Sequence, residues 1–284
     1  MCRTIRLCAI ELIARSSYDG LMRFVCLFAV FLTFVSVHAA AAQGILNRDD
    51  LLTVFKEHSA IGTFTLLDIA SGQMTIVGVK RAEKRYIPAS TFKIINGLIA
   101  LETGAIIDEN EVVPFGGKPH PIKAWERDMS IRDGIRISNV PIFQEIARRV
   151  GLERYSKFLM RFGFGNEMVG NNVETFWLNG PLKISAIEYP PLLAKLAKRE
   201  LPADKGNQAI LRDIIRLETN GDATLYAKTG WTITPDPDIG WFIGWVERNG
   251  RISTFALNID ILNRSYAKKR KLIAKALLSA LGVY

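Results

Sequence analysis

A serine and a lysine three residues apart, Ser90 and Lys93, stand at the head of an apolar run that includes Phe92, Ile94, Ile95, Leu98, Ile99 and Leu101. Residues at i and i+3 share one face of a helix, so a helix starting near Ser90 turns both functional groups toward one small volume. The first turn of a helix also leaves backbone N–H groups free and carries the positive end of its dipole. A serine there can attack a carbonyl while nearby N–H groups receive the oxyanion. It also needs a base. Histidine is scarce, and neither His58 nor His120 has a motif around it. Lys93 is therefore the candidate base, although an ordinary lysine, with a pKa of about 10.4, is protonated at neutral pH. Its apolar neighbours matter because desolvation lowers a lysine pKa. Taken alone, Ser-x-x-Lys is common, and a helix-capping serine beside an exposed lysine is the plain alternative.

These residues have to be positioned by the elements around them. Gly62 to Asp68 reads as a strand, Ala70-Ser71-Gly72 as a turn, and Met74 to Val79 as a returning strand. From Ser90 to about Ala197 the patterning is mostly helical. Ile142 to Val150 and Leu152 to Phe162 are amphipathic, with Gly151 between them. Three strand-like runs follow, Ala223 to Lys228, Ile239 to Glu247 and Arg251 to Ile259, with Asn249-Gly250 as a hairpin turn. Lys268 to Leu281 is helical again. Strands open and close the chain and helices fill the middle. This predicts an α+β fold in α/β/α layers. An antiparallel sheet is built from N- and C-terminal strands and covered by terminal helices, a mostly helical region is inserted, and the active site lies at the junction.

Two further triplets make the pattern specific. Ser138-Asn139-Val140 follows the serine–lysine pair, and Lys228-Thr229-Gly230 ends the strand-like "TLYAKTG". Ser-x-x-Lys, Ser-x-Asn or Ser-x-Val, then Lys-Thr-Gly is the ordered signature of penicillin-recognising serine enzymes. Across essentially the whole length after the leader, the chain resembles class D β-lactamases, the oxacillinases. The resemblance rests on "STFK" (90–93), Ser-x-Val at 138–140, "FWLNGPLKIS" (176–185), "KTGW" (228–231) and "IGWFIGWVE" (239–247). One motif departs from it: Phe164-Gly165-Asn166 stands where the class usually has Tyr-Gly-Asn.

The resemblance implies hydrolysis of the β-lactam amide through an acyl-enzyme on Ser90, and with it β-lactam resistance. Lys93 resembles the lysine of that class that takes up CO2 as a carbamate (N6-carboxylysine), with Trp177 donating a hydrogen bond to it. Val140 and Leu178 are then apolar walls over Lys93. Ser138 passes a proton to the β-lactam nitrogen, and Lys228 tunes that path. Thr229 and Gly230, in the third triplet, belong to the substrate-binding strand, with Thr229 on the substrate carboxylate. The N–H groups of Ser90 and Trp231 form the oxyanion hole. Arg270 lies at a suitable distance after the last strand to pair with the carboxylate, a contact suited to its fork of donors. Glu145 and Glu188 fall in no motif of the class. No metal and no organic cofactor is expected, only CO2.

Composition bounds the reading. A chain of 284 residues with 49% hydrophobic residues can bury a sizeable core. The net charge of +9 is scattered, its densest run being Lys268-Lys269-Arg270-Lys271. It is read as solubility rather than nucleic-acid binding. Met22-Arg23, the apolar run Phe24 to Val37 and the small residues to Gln43 form a secretory signal peptide. Residues 1–42 are the expected leader, with Met22 as an alternative start, and 43–284 the single enzyme domain. An uncleaved anchor is the rival reading, against which the run is short for a span of ~20 residues. Cys2, Cys8 and Cys26 all lie in the leader, so the remaining chain has no disulfide and no thiolate site. The expected setting is periplasmic, the partner a small β-lactam. No stable membrane association follows leader cleavage, and a homodimer is compatible. The rivals in function are a penicillin sensor or penicillin-binding protein that acylates without fast turnover, and a non-enzymatic wall-binding module. The module should have lost Ser90 or Lys93, and both are intact.

Overall fold

The structure is a computed structural model that describes residues 44–233 and 236–284, so the expected leader lies outside the described residues. They fall in one compact unit, Ala42–Tyr284. In chain order the strands are β1 (Ile45–Asn47), β2 (Gly62–Asp68), β3 (Met74–Val77), β4 (Arg85–Tyr86), β5 (Ile184–Ser185), β6 (Arg216–Asn220), β7 (Ala223–Thr232), β8 (Asp238–Arg248) and β9 (Arg251–Ile261). The helices are α1 (Leu52–Glu57), α2 (Val79–Ala82), α3 (Lys93–Glu102), α4 (Ile131–Ile137), α5 (Val140–Val150), α6 (Leu152–Phe162), α7 (Tyr189–Lys198), α8 (Lys205–Ile214) and α9 (Tyr266–Ala280).

Strands from the two ends of the chain meet in one seven-stranded sheet, in the order β1-β3-β2-β9-β8-β7-β6. β2 pairs antiparallel with β9, Gly62 opposite Ile259 and Asp68 opposite Ser253. The expected antiparallel sheet is present with one correction: β1 runs parallel to β3. β1 and β6 escaped the sequence reading because both are edge strands, exposed along most of their length, with no alternation to reveal them. The hairpin β8–β9 turns at Asn249-Gly250, both with positive φ, as a tight two-residue turn requires.

Each face of the sheet has its own core. On one, α1 and α9 bring Phe55, Ile273 and Leu277 against Phe64, Phe242, Phe255 and Leu257. On the other, α3 and α5 to α8 pack against Ile76, Trp241, Ile243, Trp245 and Ala256. The layers are α/β/α, as expected. Within the helical region, Asn139 caps α5 by accepting from the Ile142 N–H at 3.2 Å, and Pro141 occupies the first turn. Gly151 (φ +80°) separates α5 from α6, and α6 stops at Gly163 in the left-handed region. α3 is buried from Lys93 to Ala100, as befits a helix apolar on all sides. The expected helix start needs correction by one turn. Ala89–Phe92 forms a 3-10 turn, and the α-helix proper begins at Lys93.

Candidate active site

The turn that carries Ser90 is held from several directions. Ala89 sits at φ +49°, a strained value for a residue with a side chain. Its N–H donates to the Trp177 carbonyl at 2.9 Å, and Trp241 Nε1 donates to the Ile87 carbonyl at 2.9 Å. Thr91 Oγ1 bonds the Pro88 carbonyl and the Tyr189 hydroxyl, both at 2.6 Å. Gly230 of β7 presses on the same turn, and a Cβ there would lie 2.8 Å from the Pro88 carbonyl oxygen. Glycine ends the third triplet because the strand has to come this close.

Lys93 is fully buried, 0% exposed, and its Nζ lies 3.0 Å from Ser90 Oγ. Burial pushes its pKa down to about 7. The sequence argument for a desolvated lysine thus has a physical counterpart: near neutral pH this amine is in part uncharged and can accept a proton. Its nitrogen stands 5.3 Å from the centre of the Phe143 ring. Phe92, next to it in sequence, packs against Tyr155, Phe164, Phe176 and Trp177. Trp177 is itself 0% exposed, and its Nε1 has no hydrogen-bond partner. A buried N–H without an acceptor is costly, so this donor is poised for one. Among the described residues, no group of three or more His, Cys, Asp or Glu side chains could hold a metal ion.

Ser138 ends α4 in the left-handed conformation at φ +58°, and Lys228 Nζ donates to its Oγ. Lys228 Nζ also donates to the Thr229 carbonyl at 2.8 Å. Burial holds the Lys228 pKa well below that of an ordinary lysine, helped by the charges of Lys93, Arg270 and Lys271. Asn139, between Ser138 and Val140, also ties the neighbouring loop down by donating to the Trp125 carbonyl at 3.1 Å. The middle triplet therefore ends one helix, caps the next and presents a hydroxyl between them.

Ser90, Ser138, Thr229, Gly230, Trp231 and Arg270 line one open cavity of about 940 Å³. Lys93 and Lys228 are not among its lining residues and reach it through the hydroxyls they bond. Arg270, in α9, is 9% exposed, and burial lowers its pKa to about 10, so it stays charged at neutral pH. Its Nε donates to the Ala267 carbonyl at 2.9 Å and its Nη1 to the Gly230 carbonyl. Gly240 makes room for it, since a Cβ there would meet the Arg270 Cδ at 2.8 Å. Val140 and Leu178 are half-buried and do not line the cavity. Leu178 packs against the helical core, and its carbonyl accepts from Thr232 Oγ1 at 3.1 Å.

Ile122 and Trp125, from the 114–125 segment, and Asp238, from the 231–238 segment, whose geometry the sequence ties to substrate spectrum, also line the cavity, as do Asn263 and Arg264, which no sequence signal points to. Trp125 donates from Nε1 to the Ile137 carbonyl at 3.1 Å, and Trp231 Nε1 donates to Asp238 Oδ2 at 2.8 Å. None carries a local motif that could have singled it out. The remaining base candidates are occupied elsewhere. Glu145 pairs with Arg148 and Arg149, and Glu188 with Arg85. His120 packs edge-on against Trp125. Phe164 buries its ring between Phe92 and Tyr189, and Asn166 holds the Trp177 segment through the Pro181 carbonyl and the Lys183 N–H, both at 2.8 Å.

A nucleophilic hydroxyl with a buried amine behind it, and a second hydroxyl with its own lysine across the cavity, make a serine acyl-transfer site. The penicillin binding protein transpeptidase domain matches residues 62–279. Beta-lactamase OXA-5 of Pseudomonas aeruginosa is 41% identical over 232 residues, covering 81% of this chain and 87% of the relative. Beta-lactamase OXA-48 of Klebsiella pneumoniae is 37% identical over 259 residues, covering 90% and 97%. The crystal structure of FUS-1 (OXA-85), a class D β-lactamase from Fusobacterium nucleatum subsp. polymorphum, is similar with a TM-score of 0.80 at 35% identity, over 84% of this chain and 99% of that one. The chain belongs to the penicillin-binding transpeptidase family and, within it, to the class D β-lactamases.

Proposed function

We propose that the protein is a serine β-lactamase that hydrolyses the β-lactam amide through an acyl-enzyme on Ser90. The observation that carries this is the fully buried Lys93, 3.0 Å from Ser90 Oγ with its pKa lowered to about 7. The Lys93 side chain, carrying the carbamate argued below, accepts the Ser90 proton as Oγ attacks the carbonyl. The N–H groups of Ser90 and Trp231 receive the oxyanion. Because Lys228 Nζ donates to Ser138 Oγ, the Ser138 hydroxyl keeps its own proton free for the leaving nitrogen. Thr229 and Arg270 hold the substrate carboxylate.

Deacylation needs a base once Ser90 is esterified, and the site offers no glutamate or histidine for it. A carbamate on Lys93 fits the surroundings: an amine neutral enough to take up CO2, and the unpartnered Trp177 N–H to donate to it. When formed, it supplies a carboxylate-like base close to Ser90. Val140 and Leu178 limit water on the flank of Lys93.

Residues 1–42 direct export to the periplasm and are removed, a reading that rests on their basic, apolar and small-residue order. Among the described residues, no helix is long and apolar enough to cross a membrane. The deciding experiment is nitrocefin turnover by residues 43–284, with burst and steady state separated. Sustained turnover is expected, whereas a stoichiometric burst with no steady state would leave a penicillin-binding or sensing domain as the better account.

A further inference from the structure

A second cavity, of about 490 Å³, shares Thr229 with the first. Its walls include three cations, Arg136, Arg216 and Lys271, together with Lys228, and no aspartate or glutamate among the described residues. They come from four elements: the last turn of α4, the first residue of β6, β7, and α9. Carboxylates that could neutralise them are engaged elsewhere. Asp213 pairs with Arg132 at 2.7 Å, and Glu218, whose carboxyl feels the Lys271 charge, binds Lys275 and Tyr284.

The backbone favours this gathering. In β6, Arg216 faces Tyr226 and Glu218 faces Leu225, so Leu217 is an extra residue and the edge strand is bulged. Bulges bend an edge strand and re-aim the side chains beside it. β6 pairs with β7 only from Ala223 to Tyr226, and the Ala227 N–H still donates to the Ile215 carbonyl at 2.9 Å, so among the described residues the edge beside Lys228 and Thr229 has no strand partner. In α9, Arg270 lines the first cavity and the next residue, Lys271, lines the second. One-signed charge in a concave site with apolar walls such as Phe242 focuses an attractive field for anions.

We propose that this second cavity is an oxyanion-binding subsite for a carboxylate, phosphate or sulfonate group. The group arrives as a free anion, or as a second acidic substituent on a β-lactam whose first carboxylate sits at Thr229 and Arg270. The tethered form rests on the β-lactamase reading; the free form does not. Arg136 and Arg216 supply bidentate donors suited to such a group, and Lys271 adds a point charge.

The test uses the Arg136→Gln/Arg216→Gln double variant, which leaves every residue placed in the catalytic machinery intact. Nitrocefin turnover by the variant should match wild type. Inorganic phosphate is titrated at constant ionic strength and followed by calorimetry and 31P line width. Wild type should bind saturably, and the variant about tenfold more weakly. In parallel, kcat/KM is measured for two cephalosporins that differ only at the 3-position, one neutral and one acidic. A drop of about tenfold confined to the acidic compound identifies the tethered form, and weaker phosphate binding alone identifies the free form. If neither change is seen, the proposal fails. If wild type does not turn over nitrocefin, it is the β-lactamase reading that fails, and the phosphate titration still decides on the subsite.

Discussion

The cavity has two walls that treat charge in opposite ways. The helical wall presents Ser90, with Lys93 and Trp177 buried behind it among aromatic rings, and its one amine is depressed by burial alone. The strand wall carries Lys228 and Thr229 of β7, backed by Arg270 of α9, where basic groups crowd one another and Lys228 is lowered by its neighbours as well as by burial. Both hold a buried lysine bonded to a serine hydroxyl, yet they prepare for different events. The helical wall keeps an amine uncharged so that it can take a proton. The strand wall accumulates positive charge that an anionic substrate relieves. Burial alone does not define a catalytic lysine; what surrounds it decides whether the site waits for a proton or for an anion.

The largest expected effect tests the helical wall directly. Ser90→Ala should abolish covalent labelling by a fluorescent penicillin and lower turnover by at least ~10⁴-fold. Labelling at the wild-type rate would move the nucleophile elsewhere.

Next comes the unpartnered indole. Trp177→Phe keeps most of the ring packing and removes the N–H, so the variant should still acylate but deacylate roughly 10²-fold more slowly, giving a burst and then a low steady state. Trp177→Ala adds a cavity that costs about 3–5 kcal/mol, so its melting temperature has to be measured beside its kinetics. A Phe variant with an unchanged steady state would remove the indole donor from the mechanism.

For the strand wall, Arg270→Ala should raise KM about tenfold with kcat little changed, as expected when a contact binds ground and transition states alike. Lys268→Ala, two residues away on the exposed side of α9, should leave both unchanged. The reverse result would mean that the carboxylate is held from a different face of that helix.

A several-fold effect is expected from CO2. Since Lys93 has to be uncharged to react, activity should fall as pH drops through about 7 and be partly restored by bicarbonate. Carbon-13 NMR of Ser90→Ala protein with labelled bicarbonate should show a carbamate signal at neutral pH. No signal, with activity indifferent to bicarbonate, would leave the free amine as the base.

The smallest effect is on stability. Lys93 has a folded pKa below its ordinary value of 10.5, so between about 7 and 10.5 the unfolded chain binds a proton that the native chain does not. Stability therefore rises with pH across that window, and the penalty is fully present below about 7. In CO2-free buffer at pH 6.5, Lys93→Met should melt ~5 °C higher than wild type, with the gap closing toward pH 10. A variant that melts lower at pH 6.5 would mean the lysine is not penalised by its burial.

Much of this was legible in the sequence because it was written locally. The three triplets, the strand alternation around them and the glycine stops are short-range signals, and the structure brings Ser90, Ser138 and Thr229 to one cavity. What was hidden depends on distant partners. That Ser90 lies in a 3-10 turn before α3 follows from Ala89 being held at positive φ by Trp177, 88 residues away in sequence as read from their numbers. Arg270 was found by its distance from the last strand, but its bond to the Gly230 carbonyl and the room left by Gly240 are tertiary facts. Phe164 reads as a departure from a motif, yet its ring fills the aromatic box behind Ser90, and the neighbouring Asn166 makes the backbone contacts that hold the Trp177 segment.

The pairing of β2 with β9 sets an order of events during synthesis. The nucleophile is made early, but β2, already paired with β3, gains its second antiparallel neighbour only once residues 251–261 exist, and the strand that presses on the Ser90 turn is itself made late. Contacts this far apart in sequence make folding slow relative to locally wired proteins. A nascent chain therefore carries Ser90 and Lys93 for most of its elongation without the walls that arm them. The enzyme switches on as a whole when its last strands arrive, and a chain cut short before β9 is left without chemistry.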